Sequence, residues 1–237
     1  MSHIRMLMLC VMFALLPAIA SAEPLATESG WLESMRLGGY VIVLRHGLTG
    51  LPTAMDPMAN PTRKIDPNAK ADAKTDPKAD PKTDPMSGPA KTTGERQLSE
   101  QGRAQAKLIG EMLRKLKVPV GLVMTSPLQR AVDTGTLLGF GETVSSPDLA
   151  EAGPALSTEE NKRRADALRH LLTLHPPADN NLVIVTHKPN ILEAFGQDWS
   201  DVHEGEASIF EPDGRGGYKF IVRIQANEWG ALSQATH

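Results

Sequence analysis

Three short runs in this 237-residue chain end in side chains that bind or attack anions. Tyr40–Leu44 (YVIVL) leads into Arg45-His46-Gly47. Val120–Met124 leads into Thr125-Ser126-Pro127, with Arg130 in the first turn of a following helical pattern. Leu182–Val185 leads into Thr186-His187-Lys188. Short apolar, β-branched runs of this kind read as buried strands. If the three strands are parallel, their C-terminal ends open on one edge, where ligands of open α/β sheets bind. Two histidines, two arginines and a helix N-terminus then share one electropositive place suited to a phosphate. Gly47 would let the backbone approach such a ligand closely. A metal centre fits less well. His46 and His187 are only two ligands, there is no His-Glu-x-x-His pattern, and arginine beside a ligand disfavours a cation.

The elements that must position these groups alternate. Between Gln101 and Lys117, Leu108, Ile109, Met112, Leu113 and Leu116 share a helical face, with Ser99 as N-cap. Ser126 is placed to cap a helix starting at Pro127. Ser157 and Glu160 have capping-box spacing before Ala165, Leu168, Leu171 and Leu172. Pro189 opens another helix that ends near Gly196. Ser208–Phe210 and Tyr218–Ile224 are strand-like, joined by a turn carrying Asp213-Gly214 and Gly216-Gly217. Strands separated by helices predict an α/β three-layer sandwich, with a mostly parallel central sheet and helices on both faces.

Two stretches fall outside that pattern. Met1–Arg5 carries one cation, Met6–Ala20 is apolar throughout, and Ala20-Ser21-Ala22 fits a small-x-small cleavage site. Residues 1–22 therefore read as a secretory signal peptide, with residues 23–237 as the mature single domain. The apolar run contains Pro17 and is shorter than the roughly 20 residues a membrane span requires, so no stable span is expected after cleavage. The sole cysteine, Cys10, lies in the signal, which leaves the mature chain without disulfides or thiolate sites. The expected location is periplasmic or secreted.

Residues 52–94 hold 8 of the 18 prolines and only one Ile, Leu, Val, Phe, Trp or Tyr, namely Ile65. Asp-Pro recurs at 56, 66, 76, 80 and 84, and 7 Lys/Arg nearly cancel 6 Asp. This stretch cannot bury enough apolar surface to offset chain entropy and reads as a disordered insertion. Setting both stretches aside leaves roughly 170 residues, enough for one domain with a sizeable core. The formal net charge of −3 provides no basic excess for nucleic acid or anionic membrane.

The ordered motifs resemble the histidine phosphatase superfamily, branch 1, of phosphoglycerate-mutase-like fold. VIVLRHG (41–47), ERQLSEQGRAQA (95–106), TSPLQRA (125–131), DLAEAG (148–153) and VIVTHKPN (183–190) carry the resemblance. It implies a histidine acid-type phosphatase, a phosphoric monoester hydrolase that requires no cofactor. His46 would be the nucleophile and form a phosphohistidine, because neutral imidazole attacks phosphorus at neutral pH without metal activation. Arg45, Arg130 and His187 would hold the non-bridging oxygens. Glu151, in the donor-like DLAEAG segment, would protonate the leaving oxygen and then activate water. Glu206, in His203-Glu204-Gly205-Glu206, is the rival proton donor. Thr49 and Lys188 are candidate substrate contacts, and Arg96 a candidate support for the loop. His170 and His175 read as surface residues.

The partner implied is a small phosphorylated substrate. Similar exported proteins point to a sugar phosphate of the cell envelope, such as a lipopolysaccharide core heptose phosphate. Compact relatives also include phosphohistidine phosphatases, against which export argues. A non-catalytic phosphate-binding protein on the same fold is the alternative from another class.

Overall fold

A computed structural model describes residues 28–50, 95–177 and 179–235. The expected signal, 1–22, and the expected insertion, 52–94, lie outside the described residues. In chain order the elements are α1 (Glu28–Arg36), β1 (Val41–Arg45), α2 (Glu100–Lys115), β2 (Val120–Thr125), α3 (Gln129–Leu137), β3 (Thr143–Ser145), α4 (Thr158–Leu171), β4 (Asn181–Thr186), α5 (Lys188–Phe195), β5 (Ala207–Pro212), β6 (Tyr218–Ile224) and α6 (Trp229–Ala235). Short 3₁₀ turns span Pro147–Leu149 and Gln197–Trp199.

The six strands form one sheet in the order β3-β2-β4-β1-β5-β6. The first four are parallel; β5 runs antiparallel to β1, and β6 antiparallel to β5. The fold is thus the α/β sandwich the alternation of patterns predicts. Central strands β1 and β4 are apolar on both faces because helices cover both. Ile42, Leu44, Val183 and Val185 pack with Leu32, Met35, Ile109, Leu113, Ala131 and Trp229, from α1, α2, α3 and α6. Val41, Val43, Leu182 and Ile184 face the other way, onto Ala165, Leu168, Ile191 and Ala194 of α4 and α5. Each fully buried aliphatic side chain contributes about 1.5–3 kcal/mol.

Caps and breaks follow local chemistry. Ser99 Oγ accepts from Gly102 N, and Ser157 Oγ from Glu160 N at 3.1 Å, so both predicted N-caps are present. Gly196, at φ 87°, ends α5. Two local expectations are corrected. Helix α3 starts at Gln129 rather than Pro127, although Ser126 Oγ still accepts from Leu128 N at 3.2 Å. Leu108 is 40% exposed, one step off the buried stripe of α2.

Register delivers the site. Arg45 pairs with Thr186 across β1 and β4, and His46 N donates to Thr186 O at 3.0 Å. His46 and His187 are therefore the first residues beyond two adjacent parallel strands. Thr125 pairs with Val185, and Ser126 N donates to Val185 O, which brings Ser126 level with them.

Candidate active site

The loop after β1 is strapped to the start of α2. Ser99 N donates to Leu48 O at 3.0 Å, Leu48 N to Gln105 Oε1 at 3.0 Å, and Gly50 N to Gln97 O at 3.1 Å. A Cβ on Gly102 would lie 2.0 Å from Leu48 O, so only glycine lets the helix meet the loop there. Gly47 is explained in the same way, since its added Cβ would meet Gly102 O at 2.9 Å. Packing on α2 accounts for that glycine, where the sequence had pointed to ligand approach.

His46 is buried, and its Nδ1 lies 2.9 Å from the carbonyl of Gly47. A carbonyl only accepts, so Nδ1 carries the ring proton and Nε2 keeps its lone pair. That lone pair faces Arg130, whose Nε–H donates to it at 3.3 Å. Burial pushes His46 down to about 4; the Gly47 hydrogen bond and Glu204 oppose this, and Arg130 and Arg45 reinforce it. The ring is therefore neutral at pH 7 and has the state a nucleophile needs.

His187 is fully buried, and its ring centroid is 5.2 Å from that of His46. Its Nε2 is 2.7 Å from Ser126 Oγ. Burial, followed by the charges of Arg130, His46 and Arg45, pushes its pKa down to about 2. Its Nδ1 is buried without a hydrogen-bond partner among the described residues, and so is Arg45 Nε. Buried polar atoms are rarely left unpaired. Two of them beside His46 mark a place built for a polar ligand.

The carboxylates sort into distinct settings. Glu151 is half-exposed, and its Oε2 accepts from Arg130 Nη2 at 2.6 Å. Glu95 Oε1 accepts from Gln129 N at 2.8 Å and lies 3.4 Å from Arg130 Nη1, so it holds the start of α3 and its arginine together. Glu204 Oε1 accepts from Thr49 Oγ1 at 2.8 Å and from Arg96 Nη2 at 3.1 Å, and it stands 3.5 Å from Arg45 Nη2. Glu206 is placed elsewhere. Its buried carboxylate pairs with Arg223 Nε and accepts from His203 N at 3.1 Å.

The structure thus gathers Arg45, His46, Arg130, Glu151 and His187 at one sheet edge. Thr49 and Arg96 join them through Glu204. Lys188 is the partly buried first residue of α5, directly after His187. His170 and His175 are exposed. Sequence reasoning did not single out Glu204 or Glu95. The signal for Glu204 was topological: a strand antiparallel to β1 begins where β1 ends, so the residues leading into β5 lie beside Arg45 and His46. Gly205 N confirms the adjacency by donating to both Arg45 O and His46 O, at 3.1 and 3.0 Å. Among the described residues, no group of three or more His, Cys, Asp or Glu side chains could hold a metal ion. A separate cleft of about 520 Å³ beside α1 and β6, lined by Trp31, Tyr40 and Phe220, includes none of these groups.

The α/β sandwich thus brings two histidines and two arginines to the C-terminal edge of its parallel strands. The family model described as histidine phosphatase superfamily (branch 1) matches residues 86–155 of this chain. This is the family that the motifs resemble. No curated protein matches. Among solved structures, the protein histidine phosphatase SixA complexed with tungstate is 16% identical, with 80% of this chain and 98% of that one covered and a TM-score of 0.48. A mycobacterial glucosyl-3-phosphoglycerate phosphatase is 17% identical, with coverage of 78% and 98% and a TM-score of 0.48. A phosphoserine phosphatase from Entamoeba histolytica is 14% identical, with coverage of 78% and 95% and a TM-score of 0.47.

Proposed function

We propose that this chain is an exported, metal-independent phosphatase that hydrolyses a phosphomonoester through a phosphohistidine at His46. The observation that carries the reading is the His46 ring. Its Nδ1 proton is held by Gly47 O, and its Nε2 lone pair is turned toward Arg130. In the first step Nε2 attacks phosphorus, the bond to the leaving oxygen breaks, and Glu151 gives that oxygen a proton. In the second step Glu151 takes a proton from water, the water oxygen attacks phosphorus, and the N–P bond returns its electron pair to Nε2. Arg45, Arg130 and His187 bind the equatorial oxygens, where charge spreads in the transition state. The orphaned Arg45 Nε and His187 Nδ1 gain partners when they do so. Export rests on the layout of residues 1–22. It is also the reason to favour a cell-envelope sugar phosphate as substrate class.

The test uses mature protein and p-nitrophenyl phosphate, with and without chelator. Turnover should be insensitive to EDTA and fall to background in His46→Ala, with 32P trapped on His46 after an acid-free quench. Metal dependence, or full turnover in His46→Ala, would exclude the mechanism. Tight phosphate binding without turnover would make the protein a binding module. Preference for a phosphohistidine peptide over sugar phosphates would move the substrate to a P–N bond.

A further inference from the structure

We propose that Glu204 is the counter-charge of His46, a positioning residue that stabilises the positive charge the imidazole acquires while phosphorylated. The inference rests on the phosphohistidine reading above and assigns a role to a carboxylate which that reading leaves unused.

The geometry is specific. Glu204 Oε1 stands 4.0 Å from His46 Nδ1, on the side of the ring away from Arg130 and the attacking Nε2. Its influence on the reaction runs through the ring. His46 keeps its Nδ1 proton on Gly47 O. When Nε2 gives its lone pair to phosphorus, that retained proton makes the ring a phosphoimidazolium. One positive charge appears in a buried site where burial, Arg130 and Arg45 already disfavour it. A fixed carboxylate 4.0 Å away is the only negative group placed on the Nδ1 side by the described contacts. The arrangement resembles a buried carboxylate stabilising an imidazolium, except that a carbonyl takes the direct hydrogen bond.

The chain spends several features on holding Glu204 there. Its side chain is 12% exposed. Thr49 Oγ1 and Arg96 Nη2 both donate to the same oxygen. Gln105 Nε2 donates to Glu204 O at 3.1 Å. Gly205 takes φ 79°, a conformation glycine adopts without strain, at the turn that presents Glu204. Thr49 and Arg96 thereby have a role other than substrate contact: they hold the carboxylate in place.

The charged and titratable groups facing His46 are Arg45 from β1, Arg130 from α3, the neutral His187 after β4 and Glu204 before β5, with Glu151 beyond Arg130. Among these, Glu204 stabilises the imidazolium most directly, and the prediction follows in sign. Glu204→Gln keeps the size and an acceptor oxygen for Thr49 but removes the charge.

Two readouts test it. The first is NMR titration of His46 in phosphate-free protein, which does not depend on turnover. Its pKa should fall by about one unit in Glu204→Gln and return toward wild type in Glu204→Asp. The second is p-nitrophenyl phosphate turnover, where kcat should fall about tenfold or more with KM little changed. Thr49→Val should give a smaller loss of the same kind. An unchanged His46 titration in a folded Glu204→Gln overturns the proposal, whether or not turnover falls. Wild-type protein with no turnover, but with the expected His46 shift, overturns the phosphatase reading and leaves the pairing standing.

Discussion

Asn190 grips the backbone on both sides of Glu151. Its Oδ1 accepts from Ala152 N at 3.0 Å, and its Nδ2 donates to Ala150 O at 2.8 Å. Asn190 lies in α5, three residues beyond His187, so one helix fixes the second histidine and the carboxylate segment together. Thr186 Oγ1 adds a third tie, to Leu149 O at 3.0 Å. The Glu151 side chain is half-exposed and pairs with Arg130, which suits the proposed exchange of protons with a leaving group and with water.

Glu151→Gln should therefore cut kcat by about 10²–10⁴-fold for a substrate with a poor leaving group such as an alkyl or sugar phosphate. The loss should be much smaller for p-nitrophenyl phosphate, whose leaving oxygen needs little protonation. Glu206→Gln should behave differently, because its buried carboxylate is committed to Arg223. It should lower unfolding free energy by about 1–3 kcal/mol and leave turnover per folded molecule near wild type. Equal sensitivity of both leaving groups to Glu151→Gln, or an alkyl-specific loss in Glu206→Gln, would move the donor to Glu206.

Asn190→Ala leaves Glu151 chemically intact but releases its segment. The expected loss in kcat is about tenfold, concentrated on poor leaving groups, with KM for p-nitrophenyl phosphate nearly constant. Asn190→Asp keeps the acceptor for Ala152 N and should recover part of the loss. Uniform losses across leaving groups would show that Asn190 serves stability alone, and thermal melts of both variants would reveal this.

Much of this arrangement is legible in the chain because local signals and global topology agree. The runs 41–44, 120–124 and 182–185 are apolar on both faces, as central parallel strands require, and each ends in the polar residues of the site. Ser99 and Ser157 cap where capping chemistry places them. What escaped the sequence was long-range. Strand β3 has three residues and two exposed positions, too little pattern to register. Ser208–Phe210 read as half of a hairpin, and only its pairing with β1 shows that Glu204 precedes a strand beside His46. Glu206 and Glu204 look alike two residues apart, yet one is bound to Arg223 and the other to Thr49 and Arg96. Side-chain partners across loops carry no periodicity.

The described residues that flank 51–94 meet at a neck. Thr49 and Leu98 form an antiparallel bridge, and Gly50 N donates to Gln97 O. Replacing residues 52–94 by a short Gly/Ser linker should therefore preserve folding and keep kcat/KM for p-nitrophenyl phosphate within a few-fold. Glu95 lies just inside the neck and holds both Gln129 N and Arg130. A linker cut that also removes Glu95 should cost about 1–3 kcal/mol of stability and lower phosphate affinity. Misfolding of the first variant would show that the segment contributes to the domain itself.

Acid should unfold this protein through two buried histidines, His46 and His187. Burial holds His46 near 4 and His187 near 2 in the folded chain, against an unfolded value of about 6.5. Between those values the unfolded chain binds protons that the folded chain refuses, so stability falls as pH falls. The contribution is fully present above about pH 6.5. It should decline by up to about 1.4 kcal/mol per pH unit for each histidine, toward pH 4 for His46 and further for His187. Denaturant melts of wild type, His46→Asn and His187→Asn between pH 7 and 4 measure these slopes. Each variant should flatten the slope of stability against pH relative to wild type. The same slope in all three proteins would mean that acid lability arises elsewhere and that the site histidines are protonated without cost.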